Sequence, residues 1–344
     1  MPYAATGEQS TKLLLASMGL ETTIGTAISP TFLIPALKWD LKPLTAAVPE
    51  PAWGSFYGNR TNLNVFQTGA SASVEYYAAA ETLGPMLSAF FGADTYAAGP
   101  PKTHTWLAPY RTTIATGSKK TLTLYEANMD SVSGYAYMAT GMWGQKFSLK
   151  AESNKPLVFA ADLLGKRYET STQGTADGGP FATPPTTTLL TGNGLTLFRN
   201  NIDVAATTAW FPSSYAFELN VDTGREPNQE LGFMEQQAEQ PYLEGDWANI
   251  TCSLTMARNV ANKTLYDYLV GASPAAQKDS LKFLFTTSAN AALSIELGAA
   301  ILTTPAVDRG GKNERLTVTW QGYTDTTLLT PLKMVLTNEQ ASIT

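Results

Sequence analysis

A change of hydrophobic period that occurs twice is the feature that most constrains the fold of this chain. In ASASVEY (70–76) apolar and small polar residues alternate with a period of two, which is typical of a strand with one buried and one wetted face. From Ala78 the apolar spacing becomes helical, and Gly92 follows as a stop. Residues 248–256 and then 260–271 make the same switch, and the two glycine stops lie 271 − 92 = 179 residues apart.

Each switch predicts a strand followed by a helix that covers the dry side of that strand. Pro85 lies inside the first helical stripe, so we expect that helix to begin late or to kink. The stripes are Leu83, Met86, Leu87, Phe90 and Phe91 in the first copy and Val260, Thr264, Leu265, Tyr268 and Leu269 in the second.

Other segments recur in the same order around the two switches. A strand-like segment precedes each one, ALKWDL (36–41) and YAFELNV (215–221), and each is followed by an expected loop of about thirty residues. After each helix we expect a pair of strands: KKTLTLYEANMD and KPLVFAADLLGKRY in the first half, AALSIELGAAIL and ERLTVTWQGY in the second. The closing strands end near Gly165 and Gly322, and the first half carries about twenty more residues in this interval.

The sequence therefore predicts a mainly β chain with short helices, of the α+β class, built from two tandem repeats. Residues 170–194 are rich in Gly, Pro and Thr, which is typical of a linker. We predict a first repeat at 1–169, a linker at 170–194 and a second repeat at 195–344.

Composition argues against several classes of function. The net charge of −6 argues against a protein that grips nucleic acid, because phosphate binding needs clustered Lys and Arg. One cysteine, Cys252, excludes an internal disulfide, and one histidine, His104, excludes the usual histidine-based metal and catalytic sites. We read His104 as a loop or packing residue and Cys252 as a buried thiol, and we expect no enzyme activity, cofactor, metal or membrane span, in a protein assembled in a reducing cytoplasm.

Two sets of polar residues are candidates for function. Two strand faces have small polar groups almost without charge, and together they form the predicted polar strand face: Ser71, Ser73 and Glu75 on the first strand and Asn249, Thr251, Ser253 and Thr255 on the second. The expected loop of the second half is acidic, with Asp222, Glu226, Glu230, Glu235, Glu239, Glu244 and Asp246 against Arg225 alone. The acidic residues lack the spacing of an EF-hand, so we read them as solvated or facing a partner rather than binding Ca²⁺. The polar strand face suits either a solvated sheet or the wall of a channel for a polyanion, because a basic wall would trap DNA.

In their order and character these segments resemble the major tail tube proteins of long-tailed, siphovirus-like bacteriophages. The resemblance rests on ETTIGTA (21–27), on AETLGPMLSAFFGADTYAAGPPKTHTW (80–106), on the segment from TLYEANMD to LLGKRYE (123–169) and on LTVTWQGY (316–323). It covers most of the chain, and none of these motifs is catalytic.

The resemblance implies β-sandwich or half-barrel repeats whose inner strands close into one β-barrel between subunits, in stacked rings that form a channel for DNA ejection. A duplicated chain can build a pseudo-sixfold ring from three copies, which we favour over a hexamer. The polar strand face would line the lumen, and loops at 42–62 and 222–246 would join the rings. The tape measure protein and then DNA would pass through the lumen without specific binding, and the protein would belong to the virion tail.

Two other classes remain open from the sequence. A monomeric β-sandwich adhesin or capsid-decoration protein would have polar faces that are only solvated, and it would form no tubes. A hydrolase working with paired acids is the third reading, but spacing in the sequence selects no pair among 29 acidic residues.

Overall fold

The fold is mainly β, as expected, in a computed structural model that describes residues 14–50, 62–108, 119–128, 136–170, 188–201, 209–210, 214–227, 242–243, 249–259, 262, 278–309, 314–324 and 330–340. The strands of the first half are β1 Leu14–Leu20, β2 Phe32–Ile34, β3 Ala36–Glu50, β4 Asn62–Tyr77, β5 Thr95–Ala97, β6 Lys102–Leu107, β7 Leu122–Asn128, β8 Ala136–Glu152, β9 Val158–Gly165 and β10 Arg167–Thr170. Those of the second half are β11 Leu195–Asn201, β12 Ala209–Trp210, β13 Ser214–Asp222, β14 Glu226–Pro227, β15 Tyr242–Leu243, β16 Asn249–Ala257, β17 Lys278–Ser288, β18 Ala291–Asp308, β19 Arg315–Tyr323 and β20 Lys333–Asn338. One helix, α1, spans Leu83–Phe91.

Eight antiparallel strands form what we call the main sheet, in the order β3-β4-β9-β8-β13-β16-β19-β18. The first four strands belong to the first half of the chain and the last four to the second. The halves meet where β8 pairs with β13, from Ala216 opposite Glu152 to Asp222 opposite Lys146. We call this pairing the intrachain junction.

The long strands β8 and β18 each pass from the main sheet into an outer layer. The first part of β8 pairs with β7 and β10, and β7 continues to β1 and β2. The first part of β18 pairs with β17 and β20, and β17 continues to β11 and β12. The same order of pairing therefore occurs in both halves.

Irregularities of the ladders also fall at matching places in the two halves. The β8–β9 ladder shifts register between Gly144 and Lys146, and the β18–β19 ladder shifts between Leu302 and Pro305. The β7–β8 ladder shifts at Leu122/Leu124, and the β17–β18 ladder shifts at Asp279/Leu281. Because a bulge adds one residue to one strand, these four positions give an alignment of the halves that is independent of side-chain type.

The dry face of the main sheet packs under α1 and the outer layers. Alternation places Val74 and Tyr76 of β4 inward, and one hydrophobic cluster runs through both halves. Phe90 of α1 lies edge-on to Phe147 of β8, with ring centroids 4.8 Å apart. A Cβ at Gly144 would approach the Phe90 ring to 2.3 Å, so the glycine lets the helix lie directly on the sheet.

The first predicted helix is confirmed, and it begins late, as Pro85 suggested. Pro85 lies in the first turn, where a missing N–H leaves no intrahelical bond unmade. Gly92 ends the helix with φ of 87° and an N–H bonded to the Ser88 carbonyl. The second predicted helix lies outside the described residues except for the buried Asn262, which is helical.

Three expectations about connections were wrong. Residues 42–50 are not loop but the continuation of β3, which pairs with β4 as far as Glu50 opposite Asn62. Several strands were not predicted, among them β8 and β17, although β8 joins the two halves of the sheet. His104 lies in β6 rather than in a loop, but it is fully buried, as the packing interpretation expected, and its Nδ1 is 2.6 Å from the Asp94 carboxylate.

Glu21, the first residue of the ETTIGTA segment, is 2 % exposed, and its carboxylate holds the segment in place. It accepts hydrogen bonds from the backbone N–H groups of Gly25 (2.7 Å) and Gly141 (2.8 Å). It also accepts the hydroxyls of Thr121 (2.5 Å) and Thr123 (2.8 Å). A single buried carboxylate thus ties the loop after β1 to β7 and β8.

Additional strands connect the halves on the outside. β5 and β6, which lie between α1 and β7 in the first half, pair with each other, and β6 pairs with β20 of the second half. The end of the predicted linker, from residue 188, lies against the first half through bridges of Leu189 to Ala79 and of Thr191 to Pro156. Most of the predicted linker lies outside the described residues.

Candidate functional site

The face of the main sheet opposite the hydrophobic core is mostly polar, with β9 contributing Val158, Ala160 and Leu164 beside Asp162. Alternation that points Phe217, Leu219 and Val221 of β13 inward turns Glu218, Asn220 and Asp222 outward. All seven residues of the predicted polar strand face lie here: Ser71, Ser73 and Glu75 on β4, and Asn249, Thr251, Ser253 and Thr255 on β16. The two groups are brought onto one surface because the intrachain junction makes the sheet continuous.

This polar face is concave. A depression of about 470 Å³ is lined by residues from six successive strands, β3, β4, β9, β8, β13 and β16. Its polar lining includes Lys38, Ser73, Glu75, Ser148, Asp162, Asn220 and Thr251. Long side chains such as Lys38, Glu75 and Lys146 stand around the shorter Ser73, Ser148 and Ala160 in this depression.

Several lysines of the polar face lie beside carboxylates or hydroxyls that accept their hydrogen bonds. Lys146 Nζ is 2.8 Å from Asp222, and Asp162 is its cross-strand neighbour on the other side. The hydrogen bond and the charge of Asp222 raise the pKa of Lys146 above its usual value, so this lysine is charged but compensated. Lys150 lies 3.4 Å from Glu218, and Lys38 donates to the Ser73 hydroxyl at 3.0 Å.

On the middle of β16 and β19 the face carries hydroxyl groups rather than charges. Thr255 and Thr317 lie opposite each other and their hydroxyls are 3.0 Å apart. Thr319 lies opposite Ser253 in the same way. The sequence reasoning missed Ser148, Asn220, Thr317 and Thr319, although the alternation in YAFELNV and LTVTWQGY was a signal that could have found the last three.

The acidic set is only partly described. Asp222 is not in a loop: it ends β13, and Lys146 holds its carboxylate on the polar face. Glu226 lies in β14, which pairs with β15 through Glu226 opposite Leu243. Glu230, Glu235, Glu239, Glu244 and Asp246 lie outside the described residues.

Two edges of the main sheet carry no partner strand within the described part of the chain. β3 pairs only with β4, and residues 302–308 of β18 pair only with β19. In the alignment given by the bulges, β3 corresponds to β13 and this part of β18 to the part of β8 that joins β13. The two free edges therefore match the two edges that are joined at the intrachain junction.

The intrachain junction is reinforced by the loop that follows β13. Thr223 donates its N–H to the Gln145 carbonyl (2.9 Å), and its hydroxyl donates to the same carbonyl (2.8 Å). Arg225 is 5 % exposed and donates to the carbonyls of Gly144 (3.1 Å) and Ala89 (3.3 Å), the latter in the last turn of α1. A residue of the second half thus completes the helix end of the first.

The described residues contain no feature typical of a metal site or of a membrane-spanning helix. Within these ranges no group of three or more His, Cys, Asp or Glu is placed to hold a metal ion. Over the same residues no helix is long and apolar enough to cross a membrane. Cys252 is fully buried, and burial raises the pKa of its thiol.

Fold and site together define a structural β protein with a concave polar face and two matching free edges. A sequence model of the phage tail tube protein family matches residues 11–322, nearly the whole chain, and the chain belongs to this family. The family consists of structural proteins of the virion tail that self-assemble into a tube, and the resemblance first seen in ETTIGTA and its companion segments is confirmed. No curated protein matches the chain.

Proposed function

We propose that the chain is the major tail tube subunit and that its concave polar face lines the channel through which DNA is ejected. The observation that carries this proposal is the mostly polar surface of the continuous eight-stranded sheet, with a depression of about 470 Å³ across six of its strands. The tape measure protein fills this channel before ejection, and DNA follows it.

The chemistry of the face suits a channel that must not hold its cargo. DNA binds proteins by releasing counterions to unpaired Lys and Arg. Here Lys146 and Lys150 are matched with Asp222 and Glu218, and hydroxyl groups cover the middle of β16 and β19. Such a wall is wetted and does not attract phosphates, so DNA slides along it.

We further propose that rings close by pairing β18 of one copy with β3 of the next. The intrachain junction supplies the register, because β8 aligns with β18 and β13 with β3. In the intrachain junction Leu219 lies opposite Leu149. By the alignment of the two halves, Leu41 would lie opposite Val307 of the next copy. Thr223 donates its N–H and its hydroxyl to the Gln145 carbonyl. The aligned residues are Thr45 and Thr303, so the Thr45 N–H and hydroxyl would donate to the Thr303 carbonyl of the next copy. Closing the sheet into a barrel removes the free edges.

The stoichiometry follows from the tandem repeats, which we propose at 1–169 and 195–344 with the linker at 170–194. Each repeat gives four strands to the main sheet, so three chains supply six similar units and a pseudo-sixfold ring. A hexamer is the alternative, and an end-on image of one ring distinguishes them.

Rings would stack through two segments that extend beyond one end of the main sheet. β3 and β4 continue past Pro43 and Ala70 as a long hairpin arm, and the segment after Asp222 leaves the same end, since Val221 aligns with Pro43. The acids of 222–246, Glu226 among them, would meet Lys or Arg of the next ring.

Negative-stain microscopy of the purified full chain tests the proposal. Rings or hollow tubes are expected, whereas dispersed monomers at high concentration would favour the adhesin or decoration reading. The channel itself is tested with the double substitution Thr251→Lys and Ser253→Lys, which places unpaired cations on the polar face. Tubes should still form, but virions containing the variant should eject DNA more slowly, and unchanged ejection would remove these residues from the lumen.

A further inference from the structure

We propose that opposite charges on the edges of the two halves make a first half pair with a second half, so that the halves alternate around the ring. The inference rests on the proposed function, because one of the two kinds of pairing joins neighbouring copies. To the backbone pairing of β18 with β3 it adds four charged side chains that select the partner strand: Lys38, Asp40, Lys42 and Asp308.

The register of the junction between copies follows from the bulges of the two halves. The β3–β4 and β13–β16 ladders shift register at the same place, directly after their first pair. With the matching shifts of the β8–β9 and β18–β19 ladders, this aligns β3 with β13 and β18 with β8 residue by residue. Glu218 lies opposite Lys150 at the intrachain junction, so Asp40 would lie opposite Asp308 of the next copy.

At the intrachain junction the charges of the polar face are divided between the halves. Lys146 and Lys150 stand on β8 of the first half, and Asp222 and Glu218 stand on β13 of the second. Lys146 Nζ is 2.8 Å from Asp222, and Lys150 Nζ is 3.4 Å from Glu218. Glu152, the acid at the end of β8, is paired with a lysine three residues further on. The first half therefore presents a basic edge and the second half an acidic one.

The free edges show the same division of charge on the polar face. β3 of the first half carries Lys38 and Lys42 on either side of Asp40, so lysines outnumber acids two to one. β18 of the second half carries Asp308, which lies opposite Arg315 of β19. That guanidinium lies over an aromatic ring of β13, 4.8 Å from the ring centroid. On the polar face, both edges of the first half are thus basic and both edges of the second half are acidic.

In the closed ring Asp308 would lie between two lysines of the next copy. Residues diagonal to each other across an antiparallel pair are about 7–8 Å apart, within reach of long side chains. Lys38 and Lys42 are both diagonal to Asp308, and a carboxylate has room for several donors. Asp40 lies directly opposite and already has Lys42 Nζ at 2.5 Å. Two lysines and two aspartates then balance, so the wall of the channel gains no unpaired cation where copies meet.

The same charges oppose pairing between like edges. If β3 paired with β3 of another copy around Asp40, each Lys38 would face a Lys42, and like charges directly opposite destabilise a strand pair. Pairing of β18 with β18 would likewise bring two copies of Asp308 together. Such two-fold pairings end in dimers, whereas pairing of unlike edges is head-to-tail and can close a ring. The charges therefore favour the ring over a dimer.

The experiment reverses the charge of one edge and then of both. The variants of the full chain are Lys42→Glu, Asp308→Lys and the two changes combined, and sedimentation at low salt measures the concentration needed for tubes. Each single change should raise this concentration about fivefold, because attraction across the junction becomes repulsion. The combined variant should return to within about twofold of wild type, since its cluster again has two charges of each sign.

A matched control and a salt series separate charge from structure. Lys120→Glu makes the same change of charge outside the main sheet and should leave tube formation unchanged. At 1 M salt, where the Debye length is about 3 Å, the single variants should approach wild type. If wild-type tubes form and the single variants match them at low salt, or the combined variant does not recover, the charge rule is wrong while the proposed function stands. A wild-type chain that forms no tubes would overturn both.

Discussion

The joined junction between β8 and β13 and the pair of free edges on β3 and β18 occupy corresponding places in the strand order of the two halves but differ in their side chains. At the intrachain junction Thr223 and Arg225 bind carbonyls of the first half, and the Lys146–Asp222 ion pair spans the strands. At the free edges the residues aligned with Arg225 and Asp222 are Ala47 and Leu44.

This difference indicates that the two junctions are built for different purposes. A buried arginine that bonds the last turn of α1 stabilises one junction within the folded chain. The junction proposed between β3 and β18 would have proline on both sides, at Pro43 and Pro305, and in the described residues of the single chain these edges carry no partner strand. We infer that folding completes half of the contacts of the ring and that assembly supplies the rest.

The largest effect is expected from Val307→Pro. By alignment with Leu149 the Val307 N–H points out of the free edge, so the substitution leaves the β18–β19 ladder intact and removes a donor needed by the next copy. Tubes should disappear while the melting temperature of the single chain changes little. Electron microscopy and thermal unfolding measure the two outcomes.

Ala306→Pro is the matched control for Val307→Pro. Its N–H points to β19, so the change should destabilise the chain itself, by about 3 kcal/mol or more if proline costs here what it does in other regular structure. If Val307→Pro subunits still formed tubes, the β18–β3 junction would be wrong.

Arg225→Met should have the next largest effect, and on folding rather than assembly. The change leaves the Gly144 and Ala89 carbonyls without this donor, at a cost of about 1–3 kcal/mol in the free energy of unfolding. Chemical denaturation of the monomeric Val307→Pro chain measures it, with Arg225→Lys as the control that keeps the charge. An unchanged midpoint would mean that the intrachain junction holds without the arginine.

The sequence predicts this fold well where one strand carries its own alternation. β4, β13, β16 and β19 each show apolar residues at every second position, and α1 has a helical stripe with a glycine stop. These features also predicted the seven residues of the polar face that the structure brings onto one surface. Periodicity sufficed because each face has a single environment along its length.

The sequence fails where one strand has two environments. β8 begins in the outer layer and ends in the main sheet, and its middle, ATGMWG, is buried on both sides. Continuous burial has no period of two, so AYMATGMWGQKFSLKAE did not read as one strand. The intrachain junction was missed with it, since pairing between distant strands leaves no local pattern.

Thr45→Ala and Thr223→Ala should distinguish the two junctions, with smaller effects on assembly and on unfolding than the changes above. Thr223→Ala removes a hydroxyl bonded to the Gln145 carbonyl and should lower the free energy of unfolding by about 1 kcal/mol. Thr45→Ala should leave unfolding unchanged and raise the concentration needed for tube formation about fivefold, because that hydroxyl bonds only across the assembled junction. Denaturation and sedimentation measure the pair, and equal effects on unfolding would contradict the alignment.

The smallest effect is expected from the ion pair that spans the intrachain junction. The raised pKa of Lys146 means that its pairing with Asp222 stabilises the fold fully below the unfolded lysine pKa of about 10.4. This contribution is lost as pH rises through the higher pKa of the folded state. An exposed pair contributes only about 0.2–1 kcal/mol, so Lys146→Met should lower the free energy of unfolding by that amount at pH 7 and by less in high salt. The difference between wild type and variant should vanish above the folded pKa, and a difference that persists there would show that the lysine stabilises the junction through its aliphatic chain rather than its charge.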